Sequence, residues 1–232
     1  MTPAQFLARV KRNEVAPAYL FLGAESYQAQ RSREALLDRV LGPDGRENGL
    51  THYDLNESSL AQVVDDARSL SLFAAQRVIQ VSNAEAALPR GRSGEEDEAA
   101  GSGANTATEL AEYMKDPSPG VVLLFEATRY EFEGEEKKKL ERVRRFYSAV
   151  SETVELQRLS LEEAGSEAQA LARRAGIAID PAALDLLVEA LGGDVARIVV
   201  EIEKLVIRSI PSLKSAVAPQ QRGVSTGAYH DA

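Results

Sequence analysis

The chain has no cysteine, which excludes disulfides and thiolate metal sites and fits a cytoplasmic protein. Its two histidines, His52 and His230, leave little for imidazole catalysis or a zinc centre. No stretch approaches eighteen consecutive apolar residues, so no membrane span is expected. The opening MTPAQFLARVKRNE lacks a long apolar core and a small-residue cleavage site and does not read as a secretory signal. Basic residues are outnumbered, 27 Lys and Arg against 36 Asp and Glu. The resulting net charge of -9 argues against an overall basic nucleic-acid-binding domain but leaves room for a local basic patch. What remains is 232 residues, 44% of them hydrophobic, enough for one large domain or two smaller ones.

The apolar run Tyr19 to Leu22 followed by Gly23 reads as a buried strand and a turn. A helical pattern follows, with Ala35, Leu36, Leu37 and Val40 on one face, closed by GPDG. LTHYDLNESS reads as a second strand, alternating Thr51, Tyr53 and Leu55, with Ser58 and Ser59 as cap candidates. Leu60, Val63, Val64 and Ala67 then recur at helical spacing. RVIQV is a third strand, and GVVLLFEA a fourth so apolar that both its faces must be covered. Strands alternating with helices predict a parallel α/β sheet, assigned to residues 1–155. Residues 89–106, rich in glycine, serine and acids, carry no pattern able to form a core and are read as a flexible acidic insertion. Pro117 and Pro119 end a helix ahead of the fourth strand.

From about Leu159 the pattern is helical only, and residues 156–210 are assigned to a small three-helix lid domain. Ser160 and Glu163 form a capping box for a helix closing at Gly176. Asp180 and Pro181 open a second helix with Leu184, Leu187 and Leu191 along one side, stopped at Gly192 and Gly193. Val195, Ile198, Val199, Ile202 and Leu205 are the expected buried side of a third. Residues 211–232, rich in Pro, Gly, Ser and Gln, are read as a weakly ordered tail.

A parallel α/β domain followed by three helices resembles an AAA+ module, which binds ATP at the turn after its first strand. Such a turn needs glycines for close backbone approach, a lysine for the outer phosphates and a hydroxyl for magnesium. Here it reads LGAESYQAQRS: Gly23 stands alone, no Gly-Lys-Ser/Thr follows, and Glu25 brings a negative charge. The strand that would hold magnesium through an acidic pair ends instead in Ser82 and Asn83. No cofactor and no catalytic residue is therefore expected.

Two further stretches stand out. In RSLSLFAAQRVIQV, Arg68 to Val81, Leu72 and Phe73 sit where a chain usually turns through solvent. They either fold inward as core or point outward to be buried by another protein. Glu133 to Arg145, EGEEKKKLERVRR, is a charge-dense helix with Glu135–Lys139 and Glu141–Arg145 at i, i+4 spacing. Lys137, Lys138 and Arg142, with Lys139, Arg144 and Arg145, could touch a DNA backbone, or the helix could be a solvated face whose acids interleave its bases. Asp65 and Asp66 are adjacent on a helix, point apart and make a poor metal pair.

On PAYLFLGAESYQAQRSREALL, SLFAAQRVIQV, LAEYMKDPSPGVVLLFEA and GGDVARIVVEIEKL, the chain resembles the delta subunit family of the bacterial DNA polymerase III clamp loader over roughly residues 5 to 208. The resemblance implies an AAA+-like fold without an ATPase, consistent with Arg197 standing one place from where a sensor arginine is expected. It implies a non-catalytic, cytoplasmic accessory subunit of a replication holoenzyme that opens the ring-shaped sliding clamp, its beta subunit. In that family a Leu-Phe pair enters an apolar pocket of the clamp, and it matches Leu72 and Phe73 here, with Leu70 as a neighbouring contact. Other implied partners are the ATPase gamma/tau and delta prime subunits, and DNA indirectly. The family's third, helical collar domain is expected to be absent, since residues 211–232 do not resemble it. Two rival readings remain at this point: an inactive α/β adaptor for another protein, and an enzyme with an atypical nucleotide site.

Overall fold

The computed structural model describes residues 1–69, 71, 74–89 and 99–209, with side chains for all of these except 99–105, 208 and 209. Leu70, Leu72 and Phe73, residues 90–98 and the expected tail lie outside the described residues. The chain divides into two compact units at Arg158 and Leu159, a few residues beyond the expected boundary.

In the first unit five strands form one parallel sheet in the order β2-β3-β4-β1-β5. They are β1 (Ala18–Leu22), β2 (Leu50–Asp54), β3 (Arg77–Ser82), β4 (Val121–Ala127) and β5 (Glu152–Glu155). Strand side chains alternate between the faces, so each strand feeds two cores. On one face Leu20, Leu22, Ile79, Leu123 and Phe125 pack with α4 (Leu60–Arg68), α5 (Ala99–Lys115) and α6 (Glu136–Phe146). On the other, Tyr19, Phe21, Val78, Val122 and Leu124 pack with α1 (Pro3–Lys11) and α2 (Ser26–Leu41). A single turn, α3 (Arg46–Gly49), leads into β2. The central strands β1 and β4 are buried along their whole length, as their unbroken apolar runs require.

Two polar groups cross this interior. Glu126 of β4, only 5% exposed, accepts from Arg33 of α2 at 2.8 Å and from the Gln80 amide of β3 at 2.7 Å. The Tyr147 hydroxyl, its phenol pushed strongly upward by burial, donates to the carbonyl of Ala84 at 2.8 Å.

The sequence-based expectations for the helix starts hold where caps announce them. Ser59 and Ser160 close capping boxes at α4 and at α7 (Leu161–Arg174), and Asp180 caps α8 (Pro181–Ala190). Four details differ. Helix α5 begins at Ala99, so the stretch read as a loop to 106 is helical over its last eight residues. Helix α6 begins at Glu136, and its ion pairs are at i, i+3, Glu136 with Lys139 and Glu141 with Arg144, not the expected i, i+4 pairs. In the second unit α8 buries Leu184 and Val188, with Leu187 and Leu191 only partly covered. In α9 (Val195–Ser209) the buried stripe is Val195, Ile198 and Ile202, and Leu205 is 40% exposed.

Candidate functional site

In an open parallel sheet, ligands sit at the carboxyl ends of the strands, beside the strand where the order turns back. Here that place is the turn after β1. Gly23 lies at φ +119°, and a β-carbon there would overlap the Leu156 carbonyl and come within 2.6 Å of Phe132 Cε2, so only glycine fits. Its N–H donates to Ala127 at 3.1 Å, and the Leu156 N–H donates back to Leu22 at 2.8 Å, which closes the turn against the first unit's own backbone.

Glu25 is the N-cap of α2. Its carboxylate accepts from the backbone N–H of Tyr27 at 3.3 Å and of Gln28 at 2.6 Å. Unpaired first-turn amides are the groups by which a helix holds phosphate. In this chain a carboxylate of the same helix takes them. The adjoining cleft, about 200 Å³, is lined by Glu25, Glu131 and Glu133, with Arg158 3.3 Å from Glu131. A phosphate brought to ~4 Å of one such carboxylate would meet about 4 kcal/mol of repulsion at an effective dielectric near 20. At the end of β3, Ser82 donates to the Tyr53 carbonyl at 3.1 Å and Asn83 to Asp54 at 2.9 Å. Among the described residues no group of three or more His, Cys, Asp or Glu could hold a metal. None of their helices is long and apolar enough to cross a membrane.

The opposite, amino edge of the sheet carries the roots of the Leu70–Phe73 stretch, one strand length away, about 17 Å at ~3.3 Å per residue. Helix α4 runs down to this edge and ends at Arg68. Arg77, which opens β3 and is only 8% exposed, turns its guanidinium onto that helix end. Nη1 donates to the carbonyls of Asp66 at 3.1 Å and Ser69 at 3.3 Å, and Nη2 to the Asp66 carboxylate at 2.7 Å. Asp66, weighed above as half of a metal pair, is thus an ion-pair partner. Burial and this same carboxylate push the Tyr53 phenol upward. The backbone N–H of Arg77 donates to Gly120 at 2.7 Å, and a β-carbon on Gly120 (φ +77°) would come within 2.5 Å of the Ala75 carbonyl. The Ala74 N–H donates to the Ser71 hydroxyl at 3.1 Å.

On α6, Lys137 and Lys138 are exposed. Arg142 is not brought together with them in a free patch: it donates to the Pro89 carbonyl at 3.3 Å. Arg144 is held by Glu155 at 2.6 Å, and Lys139 stands 5.0 Å over the Tyr130 ring. Arg197 is exposed, and its N–H is taken by the Asp194 cap of α9. Sequence reasoning missed Arg77 as anything but a strand residue. The sequence offered only a charge at the start of a strand, four residues after Phe73, with no sign of its partners.

The chain as a whole is similar to known proteins. The DNA polymerase III subunit delta of Bacillus subtilis is 26% identical over 196 residues, covering 84% of this chain and 53% of that protein. The structure of the Bacillus subtilis DNA clamp loader delta protein (YqeN) superposes with a TM-score of 0.62 at 22% identity, over 94% of this chain and 62% of that one. The Thermotoga maritima RuvB Holliday junction branch migration motor, an AAA+-like neighbour, superposes at 0.51 and 12% identity over 92% and 61%. At these identities the structural likenesses establish the AAA+-like fold. The chain spans about half the length of the curated relative it matches. The family model described as DNA polymerase III, delta subunit, matches residues 19–150, more than half of the 232, so this chain belongs to the DNA polymerase III delta subunit family.

Proposed function

We propose that this chain binds the ring-shaped sliding clamp and favours its open form, so that the ring can be loaded onto primed DNA, without chemistry of its own. The observation that carries the reading is the family match over residues 19–150, a span that includes Leu70, Leu72 and Phe73. Leu72 and Phe73 are the proposed anchors, with Leu70 beside them. Burying each such side chain fully contributes about 1.5–3 kcal/mol, and a few anchors of this kind dominate most interfaces. Binding energy that prefers the open ring shifts the clamp's conformational balance by as much as the difference in affinity for its two states, and no more. The self-capped turn at Glu25 supports a nucleotide-free subunit. ATP hydrolysis by partner subunits, gamma/tau with delta prime, would then govern when the anchors are accessible. Lys137, Lys138 and Arg145 are exposed groups of α6 that could meet a DNA backbone, and Arg142 would first have to leave Pro89.

The test is the pure chain on immobilised sliding clamp beside a Leu72→Ala/Phe73→Ala control. Loss of about 3 kcal/mol or more, over 100-fold in Kd, is expected. Equal binding by control and wild type would defeat the site assignment. A wild type that ignores the clamp would favour the adaptor reading.

A further inference from the structure

Arg77 has a place no other described residue shares: it reaches both roots of the stretch that carries Leu70, Leu72 and Phe73. Its side chain holds the outgoing root through the carbonyls of Asp66 and Ser69 and the Asp66 carboxylate. Its backbone N–H holds the returning root to Gly120, whose lack of a side chain lets Ala75 pack close. The guanidinium is nearly buried, so it is a contact of the fold, not of a partner. The planar fork meets two carbonyls with Nη1 and a carboxylate with Nη2; a lysine ammonium has three donors, but all on one atom, and does not span the two positions.

We infer that Arg77 is a positioning residue for clamp binding, fixing the separation and direction of the two roots between which the anchors are presented. The inference rests on the clamp-binding reading above. Fixing the two ends of a binding segment beforehand lowers the entropy lost on association, so affinity rises with no added contact. A charge-assisted bond at 2.7 Å, backed by two carbonyl contacts at 3.1 and 3.3 Å and largely screened from water, suits that task.

The experiment measures sliding-clamp binding by the full 232-residue chain as wild type, Arg77→Met, Arg77→Lys, Asp66→Asn and Leu72→Ala/Phe73→Ala, reading Kd and the active fraction separately. Arg77→Met is expected to raise Kd about tenfold at unchanged active fraction. Asp66→Asn keeps both carbonyl contacts and is expected to raise Kd about threefold. Arg77→Lys should fall between wild type and Arg77→Met. Amide exchange at Ser69 and Ala74 should quicken in Arg77→Met while the strands stay protected. If the Leu-Phe double variant loses binding while Arg77→Met and Asp66→Asn keep the wild-type Kd, the inference falls and the clamp reading stands. A reduced active fraction with unchanged Kd would also overturn it, because Arg77 would then only support folding. If Arg77→Met fails to fold, Asp66→Asn alone decides. An unaffected Leu-Phe double variant would sink the clamp reading and this inference with it.

Discussion

Replacing Glu25 by alanine tests whether the turn after β1 is a closed structural element or a weak nucleotide site. The substitution removes the acceptor for the Tyr27 and Gln28 amides, one of them bonded at 2.6 Å. Loss of a good N-cap costs about 1 kcal/mol, and loss of a negative charge at a helix start about 0.5 kcal/mol more. For a unit of this size each kcal/mol lowers the melting temperature by about 2–4 °C, so a fall of about 3–6 °C is expected. Glu25→Gln keeps an oxygen acceptor and loses the charge, and should fall about a third as far. The assay is thermal unfolding with and without Mg-ATP. A nucleotide bound at 100 times its Kd would add about 2.7 kcal/mol, a rise of several degrees. We expect no rise in either protein. The alanine variant still has Gly23 closed against Leu156 and Phe132, and its cleft still holds Glu131 and Glu133. A rise of several degrees with Mg-ATP in the wild type, or no loss of stability in Glu25→Ala, would refute the reasoning.

Two other perturbations probe the frame. Glu126→Ala strands the Gln80 amide and the half-buried Arg33 guanidinium, and should cost about 3 kcal/mol in urea unfolding of the first unit. In the second unit the Ser160 N–H and hydroxyl, at 2.8 and 2.9 Å, hold the Glu163 carboxyl below the ordinary glutamate value. A carboxyl whose pKa is lowered on folding adds stability above its unfolded value and loses it as pH falls through the folded one. Protection of α7 against hydrogen exchange should therefore weaken from about pH 5 downward, and Ser160→Ala should flatten that dependence.

Much of the fold was legible where one residue type did one job. The unbroken apolar runs of β1 and β4, the stripe Leu60, Val63, Val64, Ala67 and the caps Ser59, Ser160 and Asp180 all appear as read. Strand β5 was not anticipated because ETVE is short, polar and at the sheet edge, with Val154 alone fully buried. Helix α1 was passed over as a terminus that merely lacked a signal sequence, though Phe6 stands edge-on to Tyr19 and Phe21 in the core. The start of α5 was hidden by its Gly/Ser-rich composition, which carries weak helix propensity. Leu205 fits the helical period yet lies past the last packed turn of the buried stripe, so periodicity alone overcounted. At the site, the missing phosphate-binding residues were plain. That Glu25 bends back onto its own helix was not, because a carboxylate in a turn has the same letter whether it faces solvent or a backbone amide. Arg77 was invisible for a related reason: its partners are mostly carbonyls, which every sequence contains.

The division of the sheet into two cores has a mechanical consequence. Helix α2, which starts at the Glu25 turn, and α4, which runs down to the amino edge, grip opposite faces, with the strands between them. Close-packed interiors compress little and transmit strain. A push on either helix layer is therefore carried into the sheet and on to the other layer, so that the first unit behaves as one stiff beam and not as two plates free to slide.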